Sequence, residues 1–175
     1  MCRHFTEDFG LETRVLRYHN VYGPEGTYDG GREKAPAAIC RKIATAKIEK
    51  LKSIDVWGDG EQTRSFMYID DCIFGTKMVF NSNSTKVYNL GSDEQVSINQ
   101  MIDMIESIAE YKVERNYQLD KPKGVRGRSS DNQKIHSDFN WGPNIKLYDG
   151  LKITYEWIYN QIVSGENSQK FTRGY

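Results

Sequence analysis

The two runs Tyr18–Pro24 (Y-H-N-V-Y-G-P) and Gly30–Ala38 (G-G-R-E-K-A-P-A-A) decide the fold of this chain. A strand-like run, Leu11–Tyr18, leads into a loop rich in glycine and proline, and Pro36 suits the first turn of a following helix. The charged residues Arg32–Lys34 therefore lie where that helix begins, beside free N–H groups and the positive end of the helix dipole. This arrangement predicts an anion site, although a solvated, charged helix start explains the same residues.

Composition predicts one globular domain without a strong net charge. The chain has 175 residues, with 24 Lys and Arg side chains against 24 Asp and Glu. Neither nucleic acid nor an anionic membrane is therefore expected as a partner, and any anion site must be local. Cys2, Cys40 and Cys72 lack the spacing of a disulfide framework or a zinc site. No apolar run reaches the ~18 residues of a membrane span and no signal peptide is visible, so a cytoplasmic protein is expected.

Hydrophobic spacing predicts an alternation of helices and short strands. The predicted helices are Cys2–Phe9 before Gly10, Pro36 to about Leu51, a helix from Asp70 or Asp71 to about Asn81, one after Ser97, one near Ser130–Phe139, and one from about Tyr148 to Ile162. The predicted strands are Leu11–Tyr18, Lys86–Leu90, Val113–Leu119 and two in a hairpin across Ile54–Ile69 that turns at Gly58–Gly60. This alternation indicates an α/β or α+β fold.

Side-chain caps are predicted at two of these helices. Ser97 and Gln100 have the S-x-x-Q spacing of a capping box. Asp70 or Asp71 is expected to cap the helix that runs to about Asn81.

The residues that could carry chemistry are cations on separate loops. His4, His19 and His136 are too scattered for a metal site, and each is expected to be a surface or hydrogen-bonded histidine. No G-x-G-x-x-G or G-x-x-x-x-G-K-[ST] phosphate loop is present. If folding brought the cations together, they would form a pocket for a phosphate-bearing ligand; dispersed surface charge is the alternative. These cations are Arg32, Lys34, Lys42, Arg64, Arg126 and Arg128.

Several runs carry a specific resemblance. Arg17–Pro24, Trp57–Asp71 (W-G-D-G-E-Q-T-R-S-F-M-Y-I-D-D) and Tyr88–Gln100 (Y-N-L-G-S-D-E-Q-V-S-I-N-Q) resemble the second half of extended short-chain dehydrogenases that act on nucleotide sugars. Gly30–Ala38, the Q-T-R-S-F run in place of the commoner Q-x-R-D-F, and Gly124–Asn132 (G-V-R-G-R-S-S-D-N) are together similar to the GDP-mannose 3,5-epimerase family. The likeness extends from about Cys2 to Ile162.

The resemblance implies an isomerase that converts GDP-mannose into GDP-L-galactose, a step toward ascorbate, through a 4-keto intermediate. Bound NAD first oxidises the C4 hydroxyl in that family, which acidifies the protons at C3 and C5. Lys34 matches the ammonium that delivers a proton opposite a cysteine base, and crowding by Arg32 or Lys42 with partial burial would suit its pKa to that task. The substrate-binding positions that match are Asn20 and Glu33 for the sugar, and Lys42, Gln62, Thr63, Arg64 and Arg128 for the GDP part.

The resemblance also implies a fold class and domains. The chain would be α/β, the C-terminal part of an extended short-chain dehydrogenase: residues 1–30 a remnant of the NAD-binding Rossmann domain, 31–163 the mixed α/β substrate-binding domain, and 164–175 a polar tail. The family's glycine-rich turn, catalytic cysteine and Tyr-x-x-x-Lys pair belong to a half that is not matched here. The main NAD-binding half is therefore expected to be missing, and the chain alone to be inactive.

Two alternatives and the expected partners complete the sequence interpretation. The chain could be another nucleotide-sugar enzyme of the same superfamily, a 4,6-dehydratase or a decarboxylase, or a non-enzymatic binding or regulatory module. A GDP-sugar is the expected ligand. A second copy or a full-length homologue is the expected protein partner, because Leu11–Tyr18 should present an unpaired strand edge.

Overall fold

Helices alternate with short strands along the chain, and a computed structural model describes residues 1–121 and 124–165. The helices are α1 Cys2–Phe9, α2 Ala35–Glu49, α3 Ile69–Phe80, α4 Ile98–Ala109, α5 Gln133–Phe139 and α6 Leu147–Ser164. The strands are β1 Val15–Tyr18, β2 Val21–Tyr22, β3 Ser53–Trp57, β4 Thr63–Ser65, β5 Met67–Tyr68, β6 Val87–Leu90, β7 Gln95–Ser97, β8 Glu114–Gln118 and β9 Gly127–Arg128. This mixed α/β architecture confirms the predicted fold class.

The helix boundaries follow local sequence. Gly10 ends α1 in the left-handed conformation at φ 68°, and α2 begins at Ala35 with Pro36 in its first turn. The capping box at α4 is present in full, since the Ser97 side chain accepts from the Gln100 N–H and the Gln100 side chain accepts from the Ser97 N–H. These predictions are confirmed.

The strands pair mostly in parallel across long sequence distances. Pairs β1–β6, β2–β5 and β3–β8 are parallel, and β4 lies between antiparallel β7 and parallel β9. The side chains of facing residues in such pairs point to the same side of the sheet. The register therefore determines which side chains become neighbours.

The predicted hairpin across Ile54–Ile69 is wrong. Strand β3 pairs with β8, and β4 pairs with β7 and β9, so the two strands beside Gly58–Gly60 take different partners. Asn99 of α4 contacts the turn between the two strands, since its backbone N–H donates to the Gly60 carbonyl at 3.0 Å. Alternating residues identify a strand but do not specify which other strand satisfies its edges.

The predicted strand Leu11–Tyr18 is shorter in the structure, where β1 begins at Val15. Thr13 instead contacts α1, with its Oγ1 2.9 Å from that of Thr6. One edge of β1 is paired with β6, and within the described residues the other edge has no strand partner, in agreement with the expected unpaired edge.

The predicted cap of α3 is also wrong. Its N-cap is Tyr68, without a side-chain cap hydrogen bond, while Asp70 and Asp71 lie in the first turn. Buried Asp71 accepts from the backbone N–H groups of Asn144 at 3.1 Å and Ile145 at 3.0 Å. This carboxylate therefore ties α3 to the segment that leads into α6.

Asp71→Ala is expected to lower the free energy of unfolding by about 2 kcal/mol, because two backbone donors lose a charged acceptor. Urea denaturation followed by circular dichroism measures this loss. Asp70→Ala removes the same charge from an exposed neighbour and is expected to have little effect. Equal losses in the two variants would contradict the assigned role of Asp71.

The apolar residues form two buried clusters. The larger cluster lies among α2, α4 and α6, with Ile43, Ile102 and Leu151 fully buried. The smaller cluster packs α3 and α5 against β6 and includes Leu90 and Ile135. Since Val21 and Met67 both belong to the smaller cluster, it draws on residues from both sides of the predicted boundary at 30/31, and the division into domains stays a prediction.

Three further expectations from the sequence concern the cysteines, membrane-spanning helices and the C-terminal segment. Cys2, Cys40 and Cys72 are free thiols, with Cys2 exposed and the other two buried. Within the described ranges, no helix combines the length and apolarity that crossing a membrane requires. The predicted polar tail 164–175 lies outside the described residues from position 166 onward, and α6 extends to Ser164.

Candidate functional site

The strand pair β4–β9 brings two predicted anion-binding arginines together. Arg64 and Arg128 occupy facing positions in the parallel register, and Thr63 faces Gly127. The Thr63 N–H also donates to the Arg126 carbonyl at 2.9 Å, which fixes this register. Arg128 is exposed and Arg64 partly so, which leaves both guanidinium groups able to reach a ligand.

The end of β1 lies against the same strand pair. Asn20 adopts a left-handed backbone conformation at φ 45°, and its Nδ2 donates to the Ser65 carbonyl at 3.0 Å. The Nδ1 atom of His19 lies 3.4 Å from the Ser65 hydroxyl, and its Nε2 is buried with no hydrogen-bond partner among the described residues. The predicted sugar-binding residue Asn20 is thus held next to Arg64.

His19 experiences the field of both arginines. Burial lowers the pKa of its imidazole below the ordinary value, and the positive charges of Arg128 and then Arg64 lower it further. The ring is therefore neutral at pH 7. Arg64 and Arg128, which face each other on β4 and β9, therefore both act on this one imidazole.

Arg128→Ala is expected to raise the pKa of the His19 ring, because one repelling charge is removed. NMR titration of the imidazole protons measures the pKa of His19 in the wild-type chain and in the variant. The lowered pKa also predicts that folding stability is complete above pH ~6.5 and falls as the pH drops through that value, since the unfolded chain then binds the proton more readily. An unchanged His19 titration in Arg128→Ala would contradict this electrostatic coupling.

A second group of predicted residues lies where α2 begins. Lys34 is the N-cap of α2, and it lines a cavity of about 230 Å³ together with Val21, Thr27 and Arg32. Val21 directly follows Asn20, so β2 connects this cavity to Arg64 and Arg128, which we call the arginine group. The expected partial burial of Lys34 is wrong, since the side chain is exposed at the helix start.

Two predicted residues have buried oxygens that lack partners within residues 1–121 and 124–165. Glu33 pairs one carboxylate oxygen with Arg41 at 3.4 Å, and its Oε2 is unsatisfied. Gln62 donates through Nε2 to the Trp57 carbonyl at 3.1 Å, and its Oε1 is unsatisfied. A buried polar atom without a partner costs free energy that a ligand donor would recover.

Lys42 is held against β3. Its Nζ donates to the Asp55 carbonyl at 2.6 Å, and burial followed by repulsion from Arg41 lowers the pKa of its ammonium. The negative charge of Glu33 acts in the opposite direction and raises this pKa, so Lys42 lies within the electrostatic influence of the start of α2. In this conformation Lys42 contacts β3 at Asp55. Gln62 contacts the same strand at Trp57, so β3 is the element that the two residues share.

Two residues of this region, His19 and Trp57, are not among the site residues predicted from the sequence. His19 was assigned as an ordinary histidine, although it adjoins Asn20 in the resembling run. Trp57 ends β3 with 57% of its surface exposed, next to the Gln62 amide. An aromatic residue directly before the Gly58–Gly60 turn was the feature that could have identified it.

The described residues include no glycine-rich loop of the kind that binds a dinucleotide. The G-x-G run Gly58–Gly60 is followed by strand β4 and not by a helix whose N-terminus could hold a pyrophosphate. The described part of the chain also has no group of three or more His, Cys, Asp or Glu that could hold a metal ion.

The chain is similar to known epimerases that are named for nucleotide sugars. Residues 1–91 match the model of the NAD dependent epimerase/dehydratase family. GDP-mannose 3,5-epimerase of Arabidopsis thaliana is 48% identical over 162 residues, which are 93% of this chain and 42% of that protein. The chain thus spans less than half the length of the curated relative.

Solved structures show the same fold. UDP-glucose 4-epimerase of Thermotoga maritima with UDP-glucose superposes with a TM-score of 0.81 at 27% identity, over 91% of this chain and 50% of that one. UDP-glucuronic acid 4-epimerase of Bacillus cereus, in complex with UDP-glucuronic acid and NAD, gives 0.72 at 31% identity over 91% and 49%. These are Rossmann-type epimerases of which this chain matches about half.

Proposed function

The chain belongs to the NAD dependent epimerase/dehydratase family, and we propose that within it the chain is the substrate-binding part of a GDP-mannose 3,5-epimerase. The proposed reaction converts GDP-mannose into GDP-L-galactose. The relatives named GDP-mannose 3,5-epimerase support this substrate over the UDP-sugars of the 4-epimerases.

The observation that carries the proposal is the facing pair Arg64 and Arg128 on β4 and β9. A diphosphate offers oxygens that two guanidinium groups can bind in bidentate fashion. Thr63 precedes Arg64 on β4 and faces Gly127 in the register, and it adds a hydroxyl group to this strand pair. This pair forms the diphosphate subsite of the proposed site.

The guanosine part would extend toward β3. Trp57 presents an exposed indole there, suited to stacking on a base, and the Gln62 amide is bonded to the Trp57 carbonyl. The unsatisfied Oε1 of Gln62 is available to a ligand donor. Lys42 lies on the same side of the site, where its Nζ donates to the Asp55 carbonyl of β3.

The sugar would lie toward the start of α2. Asn20 and the unsatisfied Glu33 Oε2 offer contacts for sugar hydroxyls, and the exposed Lys34 ammonium can hold the proton delivered to the sugar carbon. The hydride chemistry at C4 is what NAD supplies when bound in this family. The chain's own residues bind and orient the sugar and provide that proton.

Isothermal titration of the chain with GDP-mannose, GDP, UDP-glucose and dTDP-glucose tests the proposal. GDP-mannose is expected to bind at least ~10-fold more tightly than the UDP- and dTDP-sugars, since a site that pairs base donors and acceptors rejects the wrong base. Tighter binding of the UDP- or dTDP-sugars would instead support a 4-epimerase, dehydratase or decarboxylase. Binding of no nucleotide sugar would contradict the proposed function.

A further inference from the structure

We propose that Asn99 is a positioning residue that holds the Gln62–Arg64 segment in its ligand-binding conformation. This inference rests on the proposed function, because the segment contains residues assigned to the nucleotide diphosphate. Asn99 lies near the start of α4 and is not itself placed in contact with the ligand.

Asn99 is bonded to the turn between β3 and β4 by three hydrogen bonds. Its backbone N–H donates to the Gly60 carbonyl at 3.0 Å, and its Nδ2 donates to the Asp59 carbonyl at 3.2 Å and to Glu61 Oε1 at 2.7 Å. One residue before it, the Ile98 N–H donates to the Gln62 carbonyl at 3.3 Å. The start of α4 therefore contacts every residue from Asp59 to Gln62.

The side-chain oxygen of Asn99 is fixed from the opposite side. Its Oδ1 accepts from the Tyr117 hydroxyl at 2.9 Å and from Arg115 at 3.4 Å. Arg115 is in turn paired with Asp103 and Glu106 on α4. These contacts define the orientation of the amide, so its Nδ2 faces the turn.

The turn is shaped to receive this side chain. Gly60 has φ +76°, and a Cβ there would lie 2.2 Å from Asn99 Oδ1 and 2.5 Å from its Cγ. A side chain at position 60 would thus displace Asn99 even if the strained backbone tolerated it. Glycine at this turn and asparagine on α4 form one contact, which we call the Asn99 clamp.

The clamp contacts the turn through which the chain passes from β3 to β4. Gln62 lies directly after the clamped turn, and Thr63 and Arg64 then pair with Gly127 and Arg128. A shift of the turn would displace Gln62–Arg64 relative to β9, and small displacements of positioning groups weaken binding and catalysis strongly.

Asn99→Ala is expected to weaken GDP binding about 10-fold, measured by isothermal titration, with the fold retained. Asn116→Ala is the matched control, because the exposed Asn116 side chain donates to the Ser53 hydroxyl, elsewhere on the β3–β8 pair. Gly60→Ala breaks the same clamp from the other side and is expected to weaken GDP binding likewise. Wild-type affinity in Asn99→Ala would overturn the proposal.

A double-mutant cycle with Arg64→Ala separates positioning from general destabilisation. If Asn99 acts through this segment, Asn99→Ala is expected to add less than about 2-fold in the Arg64→Ala background. An undiminished additional loss in that background would overturn the positioning role.

Hydrogen exchange of the ligand-free chain tests the clamp independently of the proposed function. Asn99→Ala is expected to speed amide exchange in residues 59–64 while Asn116→Ala leaves it unchanged. Unchanged exchange in Asn99→Ala would overturn the clamp. Failure of the wild-type chain to bind GDP would overturn the proposed function instead, and the exchange result would still decide the clamp.

Discussion

Arg64→Ala combined with Arg128→Ala is expected to weaken the binding of GDP-mannose about 100-fold or more. Each arginine provides charge-assisted hydrogen bonds worth roughly 1.5–3 kcal/mol, and the two face each other on β4 and β9. Isothermal titration of the wild-type and variant chains measures the ratio of dissociation constants. Circular dichroism shows whether the fold is retained.

The matched control removes two positive charges elsewhere. Arg17→Ala combined with Lys152→Ala changes exposed residues on β1 and α6 that are outside the arginine group. This control is expected to retain wild-type affinity apart from a small change that added salt screens. Equal weakening in both double variants would show a general effect of net charge and contradict a diphosphate subsite at β4–β9.

The single variants provide a further comparison. If the two guanidinium groups bind one diphosphate, their losses are expected not to add, because each positions the anion for the other. Titrations of Arg64→Ala and Arg128→Ala separately give the coupling. Strictly additive losses would indicate that the two arginines contact separate groups.

Gly150→Ala is expected to lower the free energy of unfolding by about 3 kcal/mol, although alanine favours helices over glycine. A Cβ at position 150 would lie 2.2 Å from the Tyr22 hydroxyl and 2.8 Å from Tyr68 Cδ2. Both rings are buried, and the Tyr22 hydroxyl donates to the Leu147 carbonyl at 3.2 Å. Helix α6 would have to move away from β2 and β5, which carry these tyrosines.

Urea denaturation measures this loss, and two further variants identify its cause. Gly142→Ala is the control, because a Cβ there meets no atom within 4 Å. Tyr22→Phe combined with Gly150→Ala is expected to be more stable than the sum of the single losses predicts, since the clashing hydroxyl is removed. A Gly150→Ala variant as stable as the wild type would contradict the close packing of α6 on β2.

Helix boundaries were predictable from sequence because the groups that set them lie within four residues of one another. Gly10 at the end of α1, Pro36 at the start of α2 and the Ser97–Gln100 capping box all act through local backbone geometry. Asp71 does not cap α3, although its position in the sequence suits a cap. Its carboxylate instead accepts hydrogen bonds from the backbone N–H groups of residues 144 and 145. No local sequence pattern indicates this contact.

The candidate site was predictable only in part. The resemblance selected Arg64 and Arg128 by motif, and the pairing of β4 with β9 then placed them side by side. Lys34 was selected in the same way, yet its side chain is exposed at the start of α2. Exposure depends on what covers a residue in three dimensions, which motif spacing does not record.

The sequence by itself determined the helices, the α/β class and the family resemblance, since these depend on local propensity and on residue identity at fixed spacing. The tertiary structure alone decided which strands pair, and so placed His19 in the field of Arg64 and Arg128 and Asn99 against the turn at Gly60. The physical reason is that a strand's backbone groups can be satisfied by any edge of suitable register. Only packing of the whole chain selects that edge and the side chains it brings together.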